Sequence, residues 1–286
     1  MSNRNQQQNK QAARERLRAE RERQAKKDKT KRRLLVGVGI VAVLAAAAGI
    51  GVAVTNATNG SKNSKVSSED WEAAAKKTTF TQPANTTGDK GTTVLIGKKD
   101  AKDTLEVFED MRCPICSQFE QNTGETIRGD LKNGKYKAEF RMGAFLDRNP
   151  MIKGSGSRNA LSALGAALNV STDAFLDYKK ALYSEKNHPK EDDDAFSDDA
   201  KLLDIAQEVP ALKGNAKFKK DVEDGTFDKW AMAMSDAFDK VVGQGKDITG
   251  TPGFKLDGKV LSLGPNKAIV TPDQFGGLVD EALKKK

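Results

Sequence analysis

The chain has 286 residues, a formal net charge of +8, 37% apolar and 31% charged residues, enough apolar material for a sizeable buried core. Residues 1–33 hold 13 Lys/Arg against 4 Asp/Glu, a net of +9, so the remainder holds 35 against 36, a net of −1. The basic excess is confined to the tail, so it gives no reason to expect nucleic acid as a partner of a folded domain. The two cysteines and the single histidine, His188, are too few for an intrachain thiolate zinc site, which takes about four ligands. Neither a metal nor a cofactor is expected.

In chain order, residues 1–33 form a basic tail, read either as a helix on anionic lipid or as a solvated arm. Residues 34–54 are 21 consecutive positions without a charge. As a helix they would span roughly 31 Å, the thickness of a hydrocarbon core. Arg32 and Arg33 abut this run, so the positive-inside rule puts the tail in the cytoplasm and the rest of the chain outside. A cleaved signal peptide is the competing reading, but its apolar region runs about 7–15 residues. The expectation is a single-pass, cell-membrane protein held by a retained anchor. Residues 55–90 turn to Asn, Thr, Ser, Gly and Lys and read as a flexible linker, interrupted by a short amphipathic patch from Trp71 to Ala75.

Strand patterns then appear at Thr92–Ile96 and Thr104–Phe108, and a third at Tyr136–Met142, where apolar and charged residues alternate. Residues from about 150 to 245 read as a block of helices, with Leu161, Leu164 and Leu168 on one stripe and Phe175, Tyr178 and Leu182 on another. His188 falls in a loop there and is assigned no chemistry. A hairpin is expected around Asp257-Gly258. A last helix follows, with Thr271 as N-cap, Pro272 in its first turn and Gln274 completing a capping box.

The chemistry concentrates in Phe108-Glu109-Asp110-Met111-Arg112-Cys113-Pro114-Ile115-Cys116. A strand ends there in Cys-x-x-Cys and turns into a helix whose apolar positions include Cys116, Phe119, Ile127 and Leu131. Cys113 falls at the helix N-terminus, where free N–H groups and the helix dipole favour a thiolate. Cys116 falls one turn inward, placed to attack a mixed disulfide. Cys113 is therefore expected to be the exposed, reactive thiol and Cys116 the buried one. An inert disulfide of this spacing would close so short a loop that it would stabilise little. Arg112 either adds stabilisation, if it points toward the sulfur, or is a solvated surface arginine.

With Thr251-Pro252 standing between Gly250 and Gly253 before the hairpin, the chain resembles the DsbA-like thiol–disulfide oxidoreductases over residues 91–286. The resemblance rests on Phe108, Asp110, Cys113, Pro114 and Cys116, on Thr251-Pro252, and on the helical block. It implies an α/β architecture: a thioredoxin fold with an inserted helical domain, preceded here by the N-terminal transmembrane helix. It also implies an extracytoplasmic enzyme that forms disulfides in exported, cysteine-containing proteins by dithiol/disulfide exchange at Cys113 and Cys116. Pro252 would be cis and face the cysteines, and Thr251 would bind substrate through its main chain. Pro114, Ile115, Arg112, Glu109 and Asp110 would support the site, and a membrane partner would reoxidise or reduce it. Two departures stand out. The best-known oxidases of the family carry His between the cysteines, where this chain has Pro114-Ile115. Many relatives also carry a buried acid six residues before the first cysteine, where this chain has Val107, leaving Glu106 or Glu109 as substitutes. A disulfide reductase or isomerase of the same fold is the alternative, and a membrane-tethered peptide-binding or chaperone-like module the reading from another class.

Overall fold

The computed structural model describes residues 65–152, 154–264 and 270–285. The basic tail, the apolar run 34–54 and the first part of the expected linker, 55–64, lie outside them. Among the described residues no helix is long and apolar enough to cross a membrane.

The centre is a mixed sheet in the order β1-β3-β2-β4-β5, with β1 Val94–Ile96, β2 Thr104–Asp110, β3 Lys137–Gly143, β4 Gly253–Leu256 and β5 Lys259–Val260. β2 and β3 run parallel, in register from Thr104↔Lys137 to Asp110↔Gly143. A parallel pair needs a crossover, and helix α2, Pro114–Asn133, supplies it. Leu105, Val107, Ala138 and Phe140 alternate with half-buried polar residues along the two strands, so one face of the sheet is core. On that face Phe119 of α2 meets Phe254 of β4 at 4.7 Å and Phe275 of the last helix at 5.3 Å between ring centroids.

The β4–β5 hairpin closes through Asp257 at φ 47° and Gly258 at φ 78°. Two positive φ values in succession make the primed turn whose twist suits a hairpin. Gly258 adopts that conformation without a Cβ penalty.

Between β3 and β4 the chain forms α3 Gly156–Val170, α4 Thr172–Tyr183, α5 Asp199–Ala206, α6 Ala216–Glu223 and α7 Asp228–Asp239. The central helix of this insertion is α3, and its residues from Asn159 to Leu168 are all buried. A helix apolar around most of its circumference must be surrounded. Gly165 permits part of this, since a Cβ there would lie 2.8 Å from the Trp230 ring of α7. The last helix, α8 Pro272–Lys284, starts as its sequence indicates, with the Thr271 hydroxyl accepting from the Gln274 N–H and the Gln274 side chain accepting from the Thr271 N–H.

The linker expected over 55–90 is, from Lys65 onward, part of the folded domain. Helix α1, Ser68–Lys76, is capped by Ser67 and buries Trp71 and Ala74. Trp71 is 2% exposed and lies under the Arg158 guanidinium, 5.1 Å from ring centroid to Cζ. The Val66 N–H donates to the Ser197 carbonyl at 2.8 Å, and the Ser155 hydroxyl donates to the Val66 carbonyl. Composition suggested a tether, but Trp71 and Ala74 are buried and the Val66 main chain is hydrogen-bonded to the domain; burying a large side chain contributes roughly 1.5–3 kcal/mol.

Candidate active site

β2 delivers Cys113 to the tip of α2. Cys113 is the N-cap, in extended conformation, and its Sγ accepts from the Cys116 N–H at 3.4 Å. Pro114 occupies the first turn, where its missing N–H costs nothing. Ile115 is 41% exposed beside the sulfurs. Both cysteines are free thiols. Cys113 keeps 6% exposure and Cys116 none, the ordering expected, but Cys113 is far more enclosed than an openly exposed thiol. What encloses it is the loop before β4. The Thr251–Pro252 bond is cis, and the Cys113 thiol donates to the Thr251 carbonyl at 3.8 Å.

The two sulfurs differ in acidity. The Cys113 thiol is held below its usual pKa, chiefly by hydrogen bonding from Cys116 and against its own burial, with the Thr251 side chain and the Cys116 N–H assisting and the charge of Asp110 opposing. The Cys116 thiol is pushed well above the usual value by burial first, then by Cys113 and by the charge of Glu109.

The choice between Glu106 and Glu109 is decided by the pleat. Glu106 pairs with Arg141 on the half-open face, 3.1 Å from carboxylate to guanidinium. Glu109 is fully buried on the cysteine side and receives Lys179 Nζ of α4 at 3.1 Å. The same ammonium lies 2.6 Å from Glu120 of α2 and over the rings of Tyr183 and Phe140. A buried cation is thus shared by two buried carboxylates. Burial pushes Glu109 up to about 6, with Lys179 acting in the other direction.

Asp110 is also fully buried, and burial pushes it up to about 7 against hydrogen bonds from Ser157 and the main chain. Its neighbour Arg112 departs from both expectations. It is neither solvated nor turned to the sulfur: the side chain is fully buried, with Nη1 3.1 Å from Asp147 and 3.2 Å from Asp194. Its Nη2 donates to the carbonyls of Glu191 at 3.0 Å and Ile152 at 3.3 Å. Asp147 also accepts from the Ser157 and Arg158 N–H groups at the start of α3. Arg112 therefore locks the motif to the insertion, because a buried guanidinium needs carboxylates more than a partly stabilised sulfur does.

Several residues of this neighbourhood were not foreseen. Lys179, Glu120, Tyr183, Ser157 and His188 all pack around the motif. The Tyr183 hydroxyl donates to the Asp110 carbonyl at 3.0 Å, and the Ser117 hydroxyl of α2 donates to the Tyr183 carbonyl at 2.7 Å. The His188 ring packs between Tyr183 and Phe196, with Nε2 3.1 Å from the Met111 carbonyl. Burial lowers it to about 4, so it stays neutral near pH 7. Only Lys179 carried a legible signal, as a charged residue on the apolar stripe of Phe175, Leu182 and Tyr183.

A family model described as thioredoxin matches residues 89–281. Disulfide bond formation protein D of Bacillus subtilis is 27% identical over 198 residues, covering 69% of this chain and 79% of that protein. Among solved structures, a thiol–disulfide oxidoreductase of Actinomyces oris, MdbA, superposes with a TM-score of 0.55 at 20% identity, over 70% of this chain and 91% of its own. Reduced DsbA of Mycobacterium tuberculosis gives 0.54 at 21% identity, over 68% and 93%. The family match spans most of the chain and contains both cysteines and the Thr251–Pro252 loop. The chain belongs to this thioredoxin family and is a thiol–disulfide oxidoreductase.

Proposed function

We propose that the domain works outside the cytoplasm as an oxidase, introducing disulfides into exported proteins through Cys113 and Cys116. The carrying observation is the placement of Cys113 at the N-terminus of α2, with its Sγ accepting from the Cys116 N–H and lying beside the Thr251 carbonyl. A substrate thiolate attacks Cys113 Sγ and breaks the Cys113–Cys116 bond. Cys116 leaves with the electron pair and takes up a proton released by the substrate thiol, since burial and the charge of Glu109 disfavour its thiolate. The substrate's second thiolate then attacks the mixed disulfide and expels Cys113 as a thiolate. Stabilising that thiolate stabilises the reduced enzyme, which favours oxidation of the substrate. The Thr251 main chain beside Cys113 pairs with the extended substrate, a recognition mode that reads backbone rather than side chains.

A membrane partner reoxidises the pair. The uncharged run 34–54 with Arg32 and Arg33 before it supports a cytoplasmic tail and a domain outside. Protease added to intact cells should then remove the domain and spare the tail.

Titration against glutathione buffers tests the direction of exchange. The expected potential is roughly −120 to −180 mV, and a value below about −250 mV would assign the protein to the reductants. Cys116→Ser should accumulate mixed disulfides with exported proteins and Cys113→Ser should not. Equal trapping by both would overturn the assignment of Cys113 as the attacked sulfur and Cys116 as its buried partner.

A further inference from the structure

The exchange reaction needs the Thr251 main chain held beside Cys113, and a small core apart from the main one supports the loop that carries it. Successive strand residues point to opposite faces. Val107 joins the main core, while Phe108 joins a separate one with Phe238 of α7 and Ile248 of the loop, all three buried. Phe145, Val241 and Val242 pack at its margin. Two glycines make room for it. Gly143 ends β3 opposite Asp110, and Gly253 begins β4 opposite Phe108. A Cβ on Gly143 would lie 2.5 Å from the Phe238 ring, and one on Gly253 would lie 2.4 Å from Ile248 Cγ2. Carbon contacts are ordinarily about 3.5–4.0 Å, so both side chains rest on bare backbone. The Phe238 ring lies 6.4 Å from that of Phe108 and stacks on Phe145 at 6.1 Å. The main chain adds its own ties. The Phe238 carbonyl accepts from the Val242 N–H at 3.0 Å, and the Ile248 carbonyl accepts from the Gly243 N–H at 2.8 Å. Asp247 reaches Lys255 of β4 at 2.9 Å. Beyond Ile248 the packing thins: a Cβ on Gly250 would meet nothing within 4 Å. Two residues separate Ile248 from Thr251, whose carbonyl lies 3.8 Å from Cys113 Sγ.

We propose that Ile248 is a positioning residue for the exchange reaction: seated on Gly253 and packed with Phe108, it sets where the Thr251 main chain meets an extended substrate. This rests on the substrate pairing proposed for Thr251. Phe238, near the end of the last helix of the insertion, packs in the same cluster. The insertion thus shapes the peptide-binding edge of the site without touching the peptide. Only a substrate with a main chain feels this support. A small dithiol needs the two sulfurs alone, whereas a peptide must also meet Thr251, and misplacing a reacting partner by about 1 Å can cost about a hundredfold in rate.

The test compares two reductants of the oxidised full chain: a peptide carrying two cysteines, and dithiothreitol, which has no peptide main chain to pair. Either one gives up two electrons and two protons to the Cys113–Cys116 disulfide and closes a disulfide of its own. In I248A the rate with the peptide should fall about tenfold further than the rate with dithiothreitol. I248V keeps the branched carbon that rests on Gly253 and should keep the wild-type ratio of the two rates. L202A, a truncation of a buried side chain in α5, is the reference for lost stability and should leave the ratio unchanged. An unchanged ratio in I248A, or an equal drop in L202A, would overturn the proposal. Should I248A fail to fold, F238L is read in the same way, and an unchanged ratio there would overturn it equally. A wild type that reacts with neither reductant would sink the exchange reaction itself, and this proposal with it. A wild type that reacts with both, at a ratio indifferent to I248A, would sink this proposal alone.

Discussion

Glu109 and Asp110 are chain neighbours, both fully buried, in unlike company. Glu109 has an ammonium, Lys179, in contact. Asp110 has hydrogen bonds from two N–H groups and a hydroxyl. Aspartic acid is the stronger acid in water, yet here it is the weaker: about 7 for Asp110 against about 6 for Glu109. Burial raises both acids; an ammonium acts against it at Glu109, and only uncharged donors act against it at Asp110. The comparison also separates the duties of the two acids, since Glu109 acts on Cys116 and Asp110 on Cys113.

Removing the cation should give the largest effect. K179M leaves Glu109 and Glu120 buried with no ammonium, and breaking such a cluster costs about 3–5 kcal/mol. Denaturant midpoints would measure it, and adding E109Q should restore part of the loss. A cost below about 1 kcal/mol would mean that the cation contributes little to the difference between the two chambers.

The pH dependence of stability sharpens the comparison further. Both acids have folded-state pKa values above their unfolded values, from 3.8 to about 7 for Asp110 and from 4.5 to about 6 for Glu109. The native state therefore holds more protons than the unfolded state between about pH 4 and 7, and stability falls as pH rises through that window. At about 1.4 kcal/mol per unit the fall amounts to about 4 kcal/mol for Asp110 and about 2 kcal/mol for Glu109. D110N should flatten the profile more than E109Q, and the reverse order would break the comparison.

Arg112 gives a smaller effect. In R112K a compact ammonium cannot reach Asp147, Asp194 and two carbonyls together, which should cost about 1–3 kcal/mol. The pH profile of Cys113 alkylation should stay in place, because Arg112 faces away from the sulfur. The smallest effect concerns the thiols themselves. D110N should move Cys113 alkylation to lower pH, while E109Q should leave it where it is. Equal shifts in the two variants would erase the division of labour.

Much of the site was legible because its signals are local. Cys-x-x-Cys after a strand places one sulfur at the helix tip and the other one turn inward by helix geometry alone. Asp257-Gly258 and Thr271-Pro272-Asp273-Gln274 act through their own backbones. The residues that were missed act at a distance. Lys179 stands 70 positions from Glu109 and Ser157 stands 47 from Asp110, so no periodicity connects them. Arg112 failed as a surface expectation because its acids, Asp147 and Asp194, come from two turns of the insertion.

Two thiols of fixed spacing, a helix to carry them, a proline loop, and strands and helices in the order of a sheet with an insertion are all written in the chain itself. Tertiary structure decided which charges attend the sulfurs. It buried Arg112 against acids instead of beside Cys113, chose Glu109 over Glu106 by the face of β2, and brought Lys179 and Ser157 to opposite sides of the strand. The physical reason is that acidity in the interior is set by burial and by partners within a few ångströms, and those partners become neighbours only when the insertion closes on the sheet.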